Sequence, residues 1–396
     1  MGGGRWRRDL LRAAAVVALV NGLGWIVVDG VSRWTLRRVA CEGWPVAGGD
    51  LGAVETLFPD SPENDAARAL ARVAAAAGID LAPRKGEVPA THRPSAEAAG
   101  RFDAAKASLD DYVKEETLAA PPAPLGSFLD GAAGPLADAE QLLESRGRPR
   151  WEQRASAGFE MSPPNLLGHV RLTKLLLARA RTAATRGQRE SAWRSVAAAA
   201  RLADSLEERP EDLSQLIRIA EARSVLATMR ALARPAPAWA AAWASADLRP
   251  AVLRAHLVDA ATWWKWGRRA APLIPDTDYS GAAGVLRGGL IAAAGPVLRF
   301  MVADTLAQAR EAARRCAAWT GDAPPPAPAS SARTLASWNT IGRAVEPDAT
   351  VARAAERVGA EREEARRTLR VLSGAEVRPA PRAEGPVPGG DAPTAR

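Results

Sequence analysis

The chain predicts an all-α fold, an N-terminal transmembrane helix followed by packed helical hairpins with a repeat-like character. Three observations carry that prediction. An uncharged apolar run from Ala13 to Val28 follows Arg5, Arg7, Arg8 and Arg12. Alanine and leucine then recur at helical spacing through most of the body. Strand signals are nearly absent, because β-branched runs are short and apolar-polar alternation never persists.

The first element reads as a membrane anchor. A bilayer core needs about 20 predominantly apolar helical residues, with roughly 17 as the lower limit. Leu10 to Val28 reaches that length if the long stem of Arg12 carries its charge to the headgroups. The anchor residues are Leu10, Ala13, Val16, Leu19, Leu23, Trp25, Ile26 and Val28. A cleaved signal peptide would share the basic start but should end in small residues of the Ala-x-Ala kind, and Gly24-Trp25-Ile26-Val27-Val28 offers no such site. A lipoprotein reading would use Cys41 after Val39-Ala40, where Arg38 occupies a position that wants an apolar residue. Trp25 and Trp34 suit the membrane-water boundary. Four arginines precede the segment and Arg33, Arg37 and Arg38 follow it, a narrow positive-inside bias. The expectation is a single-pass protein of the cytoplasmic (inner) membrane, N-terminus inside, with the body periplasmic or extracellular.

Composition constrains the remainder. With 396 residues the chain can bury a sizeable core. Its basic residues include only five lysines, Lys85, Lys106, Lys114, Lys174 and Lys265, and the predominance of arginine with Ala, Gly and Pro is the mark of a GC-rich genome. Charge is uneven: residues 50–145 carry 17 acidic and 8 basic side chains, whereas 146–396 carry 25 acidic and 38 basic. Those arginines interleave with Glu and Asp at helical spacing, the pattern of solvated helix faces, so nucleic acid is not the expected partner. Cys41 and Cys316 are too far apart in sequence for spacing to say whether they pair, and Cys316 reads as a small buried thiol.

The expected organisation is an anchor over 1–30, a linker over 31–60, an acidic helical region over 61–147, a main helical domain over 148–320, a Pro-rich linker over 321–333, C-terminal helices over 334–373 and a disordered tail over 374–396. In the acidic region Ser61-Pro62-Glu63-Asn64-Asp65 supplies a cap for a helix ending before Gly78. A second helix runs from Ser95 to Leu118 with Phe102, Leu109 and Val113 near one face, Pro121-Pro122-Ala123-Pro124 breaks it, and a third runs from Pro135 to Ser145.

The best-formed unit lies between Pro163 and Leu232. Its first helix carries Leu166, Leu172, Leu175 and Leu176, its second Trp193, Val196, Ala199 and Leu202, and its third, after Pro210, Leu213, Leu216, Ile217, Val225 and Leu226. The turn from Gly187 to Ala192, with Ala180, Ala183, Ala192 and Ala199 at small-residue positions, resembles the inter-helix turn of tetratricopeptide-type repeats over about 35 residues. No second copy follows at that family's period, and the Trp, Gly and Tyr of its first helix are missing. The whole chain is similar to membrane-anchored, alanine-rich helical envelope proteins of GC-rich bacteria, a likeness that implies a location and no activity.

Further on, Trp239 and Trp243 stand in an alanine-rich helix, and Trp263, Trp264 and Trp266 cluster with Lys265, Arg268 and Arg269. Trp263, Trp264, Trp266, Arg268 and Arg269 are the candidate interaction or interfacial residues; the alternatives are core packing and an aromatic platform for a sugar or peptide. Leu290 to Val302 is apolar but too short to span, and reads as a buried helix or a re-entrant segment. After the spacer Pro324-Pro325-Pro326-Ala327-Pro328, Thr334 to Arg343 and Ala349 to Leu372 read as helices, the second bearing the stripe Val351, Ala355, Val358, Ala365, Leu369 and Leu372. That stripe either docks on the body or meets a partner helix.

No motif points to chemistry. His92, His169 and His256 have no metal-ligand spacing, the pairs Asp110-Asp111 and Glu115-Glu116 do not face a common site on a helix, and Gly281-Ala282-Ala283-Gly284 with Gly288-Gly289 makes no phosphate loop. No cofactor or metal is expected. The function expected is a non-catalytic helical binding or scaffolding module of the cell envelope, its partners the lipid bilayer through the first helix and a protein on the helical body. The alternative is an envelope hydrolase whose acidic active site converges only in three dimensions.

Overall fold

Helix caps written into the sequence set the order of the body. The structure, a computed structural model, describes residues 3–41, 59–83, 89–154, 163–232, 235–270, 299–311, 313–314, 319 and 347–374. The expected helix over Thr334–Arg343, most of Leu290–Val302, Cys316 and the side chain of Cys41 lie outside the described residues. Helix α1 spans Gly3–Cys41. It does not stop where the apolar run ends at Asp29 but continues twelve residues further.

Helix α2 (Asp65–Ala76) starts at Asn64, whose side chain accepts the Ala67 N–H at 2.9 Å. The same oxygen accepts the Arg150 N–H at 3.0 Å, so one cap also ties down the segment that leads out of the acidic region. Beside it, Ser61 and Gln153 exchange a pair of 2.9 Å backbone bonds, an isolated antiparallel bridge. The described residues form no strand. Gly78, at φ +82°, reverses the chain after α2 and lets the Ile79 N–H reach the Ala74 carbonyl. Ser95 caps α3 (Ala96–Lys114).

Helix α4 (Ala123–Gly131) corrects the reading of Pro121 to Pro124 as a simple break. Pro124 stands in the first turn, where a helix has no partner for the missing N–H and the fixed φ suits the helix. Helix α5 (Ala133–Ser145) follows at once.

Asn165 caps α6 (Leu166–Thr185), which turns at Gly187, φ +76°, into α7 (Arg189–Asp204). Helices α8 (Asp212–Leu232), α9 (Ala238–Ala244) and α10 (Arg249–Ala270) come next, residues 299–311 are helical, and α11 (Pro347–Ser373) closes the described chain. The α6–α7 hairpin is the most extensive helix pair, and α8 packs on both of its members. Ala178, Ala180, Ala192, Ala199 and Ala203 are buried along it. Their small side chains allow close helix approach, as the repeated alanines at helical spacing foretell.

One apolar core joins Leu70, Phe102, Leu109, Leu136 and Leu143 of α2 to α5 with Leu172, Leu176, Val196 and Val225 of α6 to α8. The C-terminal stripe docks back on the body. Ala354, Ala355 and Val358 of α11 share a cluster with Ile219 and Ala222 of α8, and Thr368 Oγ1 donates to the Leu226 carbonyl at 3.2 Å. An ion pair between Arg230 and Glu364 secures the same contact.

Two glycines separate backbone strain from steric exclusion. A Cβ at Gly78 would lie 2.4 Å from the Ala98 carbonyl oxygen, whereas one at Gly187 would meet nothing within 4 Å. Gly78→Ala is expected to destabilise the fold by more than about 2 kcal/mol, and Gly187→Ala by about 1 kcal/mol from the positive φ alone. Urea unfolding of the two variants checks this, and equal losses would contradict the assignment.

Candidate functional site

The most elaborate polar arrangement is buried between α6, α7, α8 and the segment around Trp151. Helix α6 turns His169 and Thr173 onto its buried side, one turn apart and flanked by Leu166, Leu172 and Leu176. Ser205, the residue that ends α7, approaches one ring nitrogen of His169, and Glu221 of α8 approaches the other. His169 Nδ1 lies 2.7 Å from Glu221 Oε1, and His169 Nε2 lies 3.1 Å from Ser205 Oγ. Thr173 donates to Glu221 Oε1 at 3.1 Å, and the Trp151 indole N–H donates to Ser205 Oγ at 3.3 Å. Trp151 also meets the His169 ring edge to face, 6.2 Å between centroids.

Donor accounting gives the relay a direction. The indole can only donate, so Ser205 Oγ accepts there. In the Nδ1–H tautomer of His169, Nδ1–H donates to the Glu221 carboxylate and Ser205 donates to Nε2. Serine, histidine and carboxylate in this connectivity form the constellation of acyl-transfer enzymes. Access decides against that use. Ser205 is 4% exposed and His169 0%. The cleft that reaches the relay, about 410 Å³, borders Thr173 and Glu221 at the end away from the serine, with Asp110, Lys114, Lys174 and Glu364 among its other walls. A substrate carbonyl has no path to Ser205 Oγ through that cleft, and Glu221 is itself 1% exposed. The relay is therefore a buried brace: it pairs the polar side-chain atoms of Trp151, His169, Thr173 and Ser205 and one oxygen of Glu221, whose Oε2 has no partner among the described residues, and removing one member costs several kcal/mol.

A second cluster joins α8 to α10. His256 Nδ1 lies 2.6 Å from Asp212 Oδ2 across the two helices. Burial alone would lower the His256 pKa, but the Asp212 charge and hydrogen bond outweigh it and the net shift is upward. Asp259 is pushed up to about 7, by burial first and then by the Asp212 charge, with His256 and a hydrogen bond from Trp263 opposing. Glu361 of α11, the helix that also packs on α8, is 3% exposed and is likewise raised to about 7, chiefly by burial.

The remaining sequence candidates disperse. Lys174 pairs with Asp110 at 2.6 Å, while Glu115 and Glu116 stand exposed beyond the end of α3. His92 ends a single 3-10 turn, its pKa lowered by burial and by the charges of Arg72 and Arg68. Trp264 is buried, Trp263 is half-buried, and the side chains of Trp266, Arg268 and Arg269 lie outside the described residues. Val16, Leu19, Leu23 and Ile26 of α1 are exposed, as is Ala13; Val28 is half-buried, and the side chains of Leu10 and Trp25 are outside the described residues. Among the described residues no group of three His, Cys, Asp or Glu side chains is placed to hold a metal ion.

No protein-family model, curated protein or solved structure matches this chain. Function must be argued from its own geometry. Ser205 and Glu221 escaped the sequence reading because they stand 36 and 52 residues from His169. The one local signal was His169 and Thr173 sharing the leucine-rich face of α6, a polar pair on a stripe that has to be buried.

Two outcomes follow. Glu221→Ala leaves the His169 N–H and the Thr173 hydroxyl without an acceptor inside the core and is expected to lower stability by about 3 kcal/mol, with Glu221→Gln, which keeps an acceptor, losing less than half as much; chemical denaturation reads both. For Glu361 the folded state holds its proton more tightly than the unfolded chain, whose carboxyl titrates near 4.5. The stability associated with that proton is full below about 4.5 and lost as pH rises through about 7. Glu361→Gln should raise stability by about 2 kcal/mol at pH 8 and change it little at pH 4, as followed by thermal unfolding across pH.

Proposed function

We propose that the protein is a single-pass membrane protein whose helical body is a binding or scaffolding module of the cell envelope and catalyses no reaction. The observation that carries the membrane reading is the surface of α1. Val16, Val17, Leu19 and Val20 are all between 58% and 64% exposed, and Leu23, Ile26 and Val27 continue the pattern. These seven positions lie on one half of the helix, but Ala13 to Val17 are five consecutive exposed apolar positions and so go round it, which makes this an apolar cylinder rather than one unburied stripe. Water does not support such a surface, and lipid does.

The candidate span from Arg12 to Arg38 is 27 residues, and its most apolar 18-residue stretch has a mean hydropathy of 1.9. It measures about 40 Å along its axis, the thickness of a hydrocarbon core with its headgroups. Past Val28 one side of the helix meets protein, where Ser32 is 1% exposed and Asp29 pairs with Arg299, while Val31 and Trp34 stay exposed. That change from exposed to packed supports a membrane surface near Val28. The side of the membrane follows only the narrow arginine bias, and we place the N-terminus inside and the body outside the cytoplasm.

The non-catalytic reading of the body is supported by the burial of the serine, histidine and glutamate relay. The hydrolase reading draws on the same relay's connectivity, and the inaccessibility of Ser205 counts against it.

Extraction with alkaline carbonate tests the anchor. The full chain is expected to remain in the membrane pellet, and the Val17→Asp/Val20→Asp variant to move largely to the supernatant. Paired reporters fused after Leu372, one active only outside the cytoplasm and one only inside, then read the side. Release of the unmodified chain by carbonate would remove the membrane reading, and a cytoplasmic signal would reverse its orientation.

A further inference from the structure

We propose that the cleft between α3, α6, α8 and α11 binds a small zwitterion, a primary ammonium on a short aliphatic chain that ends in a carboxylate, with the ammonium on Glu221. The inference deepens the binding reading of the body by giving it a small ligand, and it does not depend on the membrane reading.

The cleft holds about 410 Å³ and is walled by all four helices. Its charges are sorted by depth. Of the three acids that line it, the Asp110 side chain is 43% exposed, Glu364 16% and Glu221 1%. Asp110 and Glu364 already have cations, Lys174 at 2.6 Å and Arg230. Glu221 pairs with no lysine or arginine among the described residues; its charged-group neighbour is His169. Lys114 of α3 and Arg223 of α8 also line the cleft, and both are exposed. The acid side of the lining therefore runs deep and the basic side lies outermost.

The deepest acid is short of a donor. Glu221 Oε1 accepts from His169 at 2.7 Å and from Thr173 at 3.1 Å, whereas Oε2 is buried with no hydrogen-bond partner. A carboxylate oxygen held out of water without a donor is costly, and nothing in the relay relieves it. The cleft borders Glu221 and Thr173 but not His169, Ser205 or Trp151. A donor brought in through it meets Glu221 and leaves the rest of the relay in place.

One open oxygen selects among cations. A guanidinium pairs best with both oxygens of a carboxylate, and Oε1 already takes two donors. A quaternary ammonium has no N–H to give and is held by aromatic faces, and among the described residues no aromatic side chain lines the cleft. A primary ammonium is compact and carries three donors, which suits a single buried acceptor. Val113, Val170 and Ala227 give the cleft an apolar wall that accommodates methylenes. Outermost, Lys114 and Arg223 offer N–H donors to an anionic end group. The lining carries three acids and three bases, Asp110, Glu221 and Glu364 against Lys114, Lys174 and Arg223, so a ligand without net charge fits it better than a diamine.

Isothermal titration of the full chain in detergent with glycine, γ-aminobutyrate and ε-aminocaproate tests this. At least one is expected to bind with a dissociation constant of about 1 mM or tighter, and butyrate and caproate, chains without the ammonium, about tenfold more weakly. Ala227→Leu, which fills the apolar wall without touching the relay, should abolish binding. Glu221→Gln should weaken it about tenfold in protein whose near-ultraviolet circular dichroism matches the unmodified chain. Lys114→Gln/Arg223→Gln should weaken γ-aminobutyrate about threefold and leave butylamine unchanged. Binding of none of the three amino acids overturns the proposal, as does binding that survives both Ala227→Leu and Glu221→Gln. Equal affinity of the unmodified chain for butyrate and γ-aminobutyrate overturns the role of the ammonium, and equal affinity for butylamine overturns the zwitterion. These failures leave the scaffolding reading standing, because a protein partner on the helical surface needs no small-molecule site.

Discussion

A carboxylate held inside a helical core constrains everything around it. Glu221 is 1% exposed, and its acceptable surroundings are those that deliver donors to it without water. His169 and Thr173, one turn apart on α6, supply them. His169 can serve only if Ser205 answers its other nitrogen, and Ser205 in turn receives the Trp151 indole. A slip of α6 against α8 by one residue would carry both donors off the carboxylate. The polar chain thus sets a register that the alanine-rich apolar faces, with few distinctive shapes, specify weakly. Helix α8 sits at the centre of the body for the same reason: α6 and α7 meet it through the relay, α10 through His256 and Asp212, and α11 through Thr368 and Glu364.

The surface of α1 changes along its length. From Ala13 to Val27 the described side chains of α1 are exposed; beyond it one side of the helix packs on protein through Asp29 and Ser32, while Val31 and Trp34 stay exposed. Helix α1 is continuous across that change, and just beyond it Asp29 pairs with Arg299.

Much of the architecture was legible because it rests on local rules. Asn64, Ser95 and Asn165 cap helices where their side chains reach the first free N–H groups, and Gly78 and Gly187 end helices at positive φ. The apolar stripe of α11 was legible as a face needing cover, though not which surface would cover it. Helix α4 was hidden by its prolines, since the same residue that ends one helix can start the next. The relay was not legible, because its members come from four segments and only tertiary packing makes them neighbours. No spacing rule links Trp151, His169, Ser205 and Glu221. What could be read was weaker: polar residues on the buried side of α6 need partners, whoever provides them.

The relay is the point on which a brace and a catalytic device part company, and the reactivity of Ser205 separates them directly. The intact chain can be treated with a fluorophosphonate, which phosphonylates serines activated by a neighbouring histidine and open to solvent. The account predicts no modification of Ser205 in the folded protein, as read by peptide mass spectrometry. Stoichiometric labelling of Ser205 that disappears in His169→Ala, with the fold of that variant verified, would contradict it and turn the body into a hydrolase.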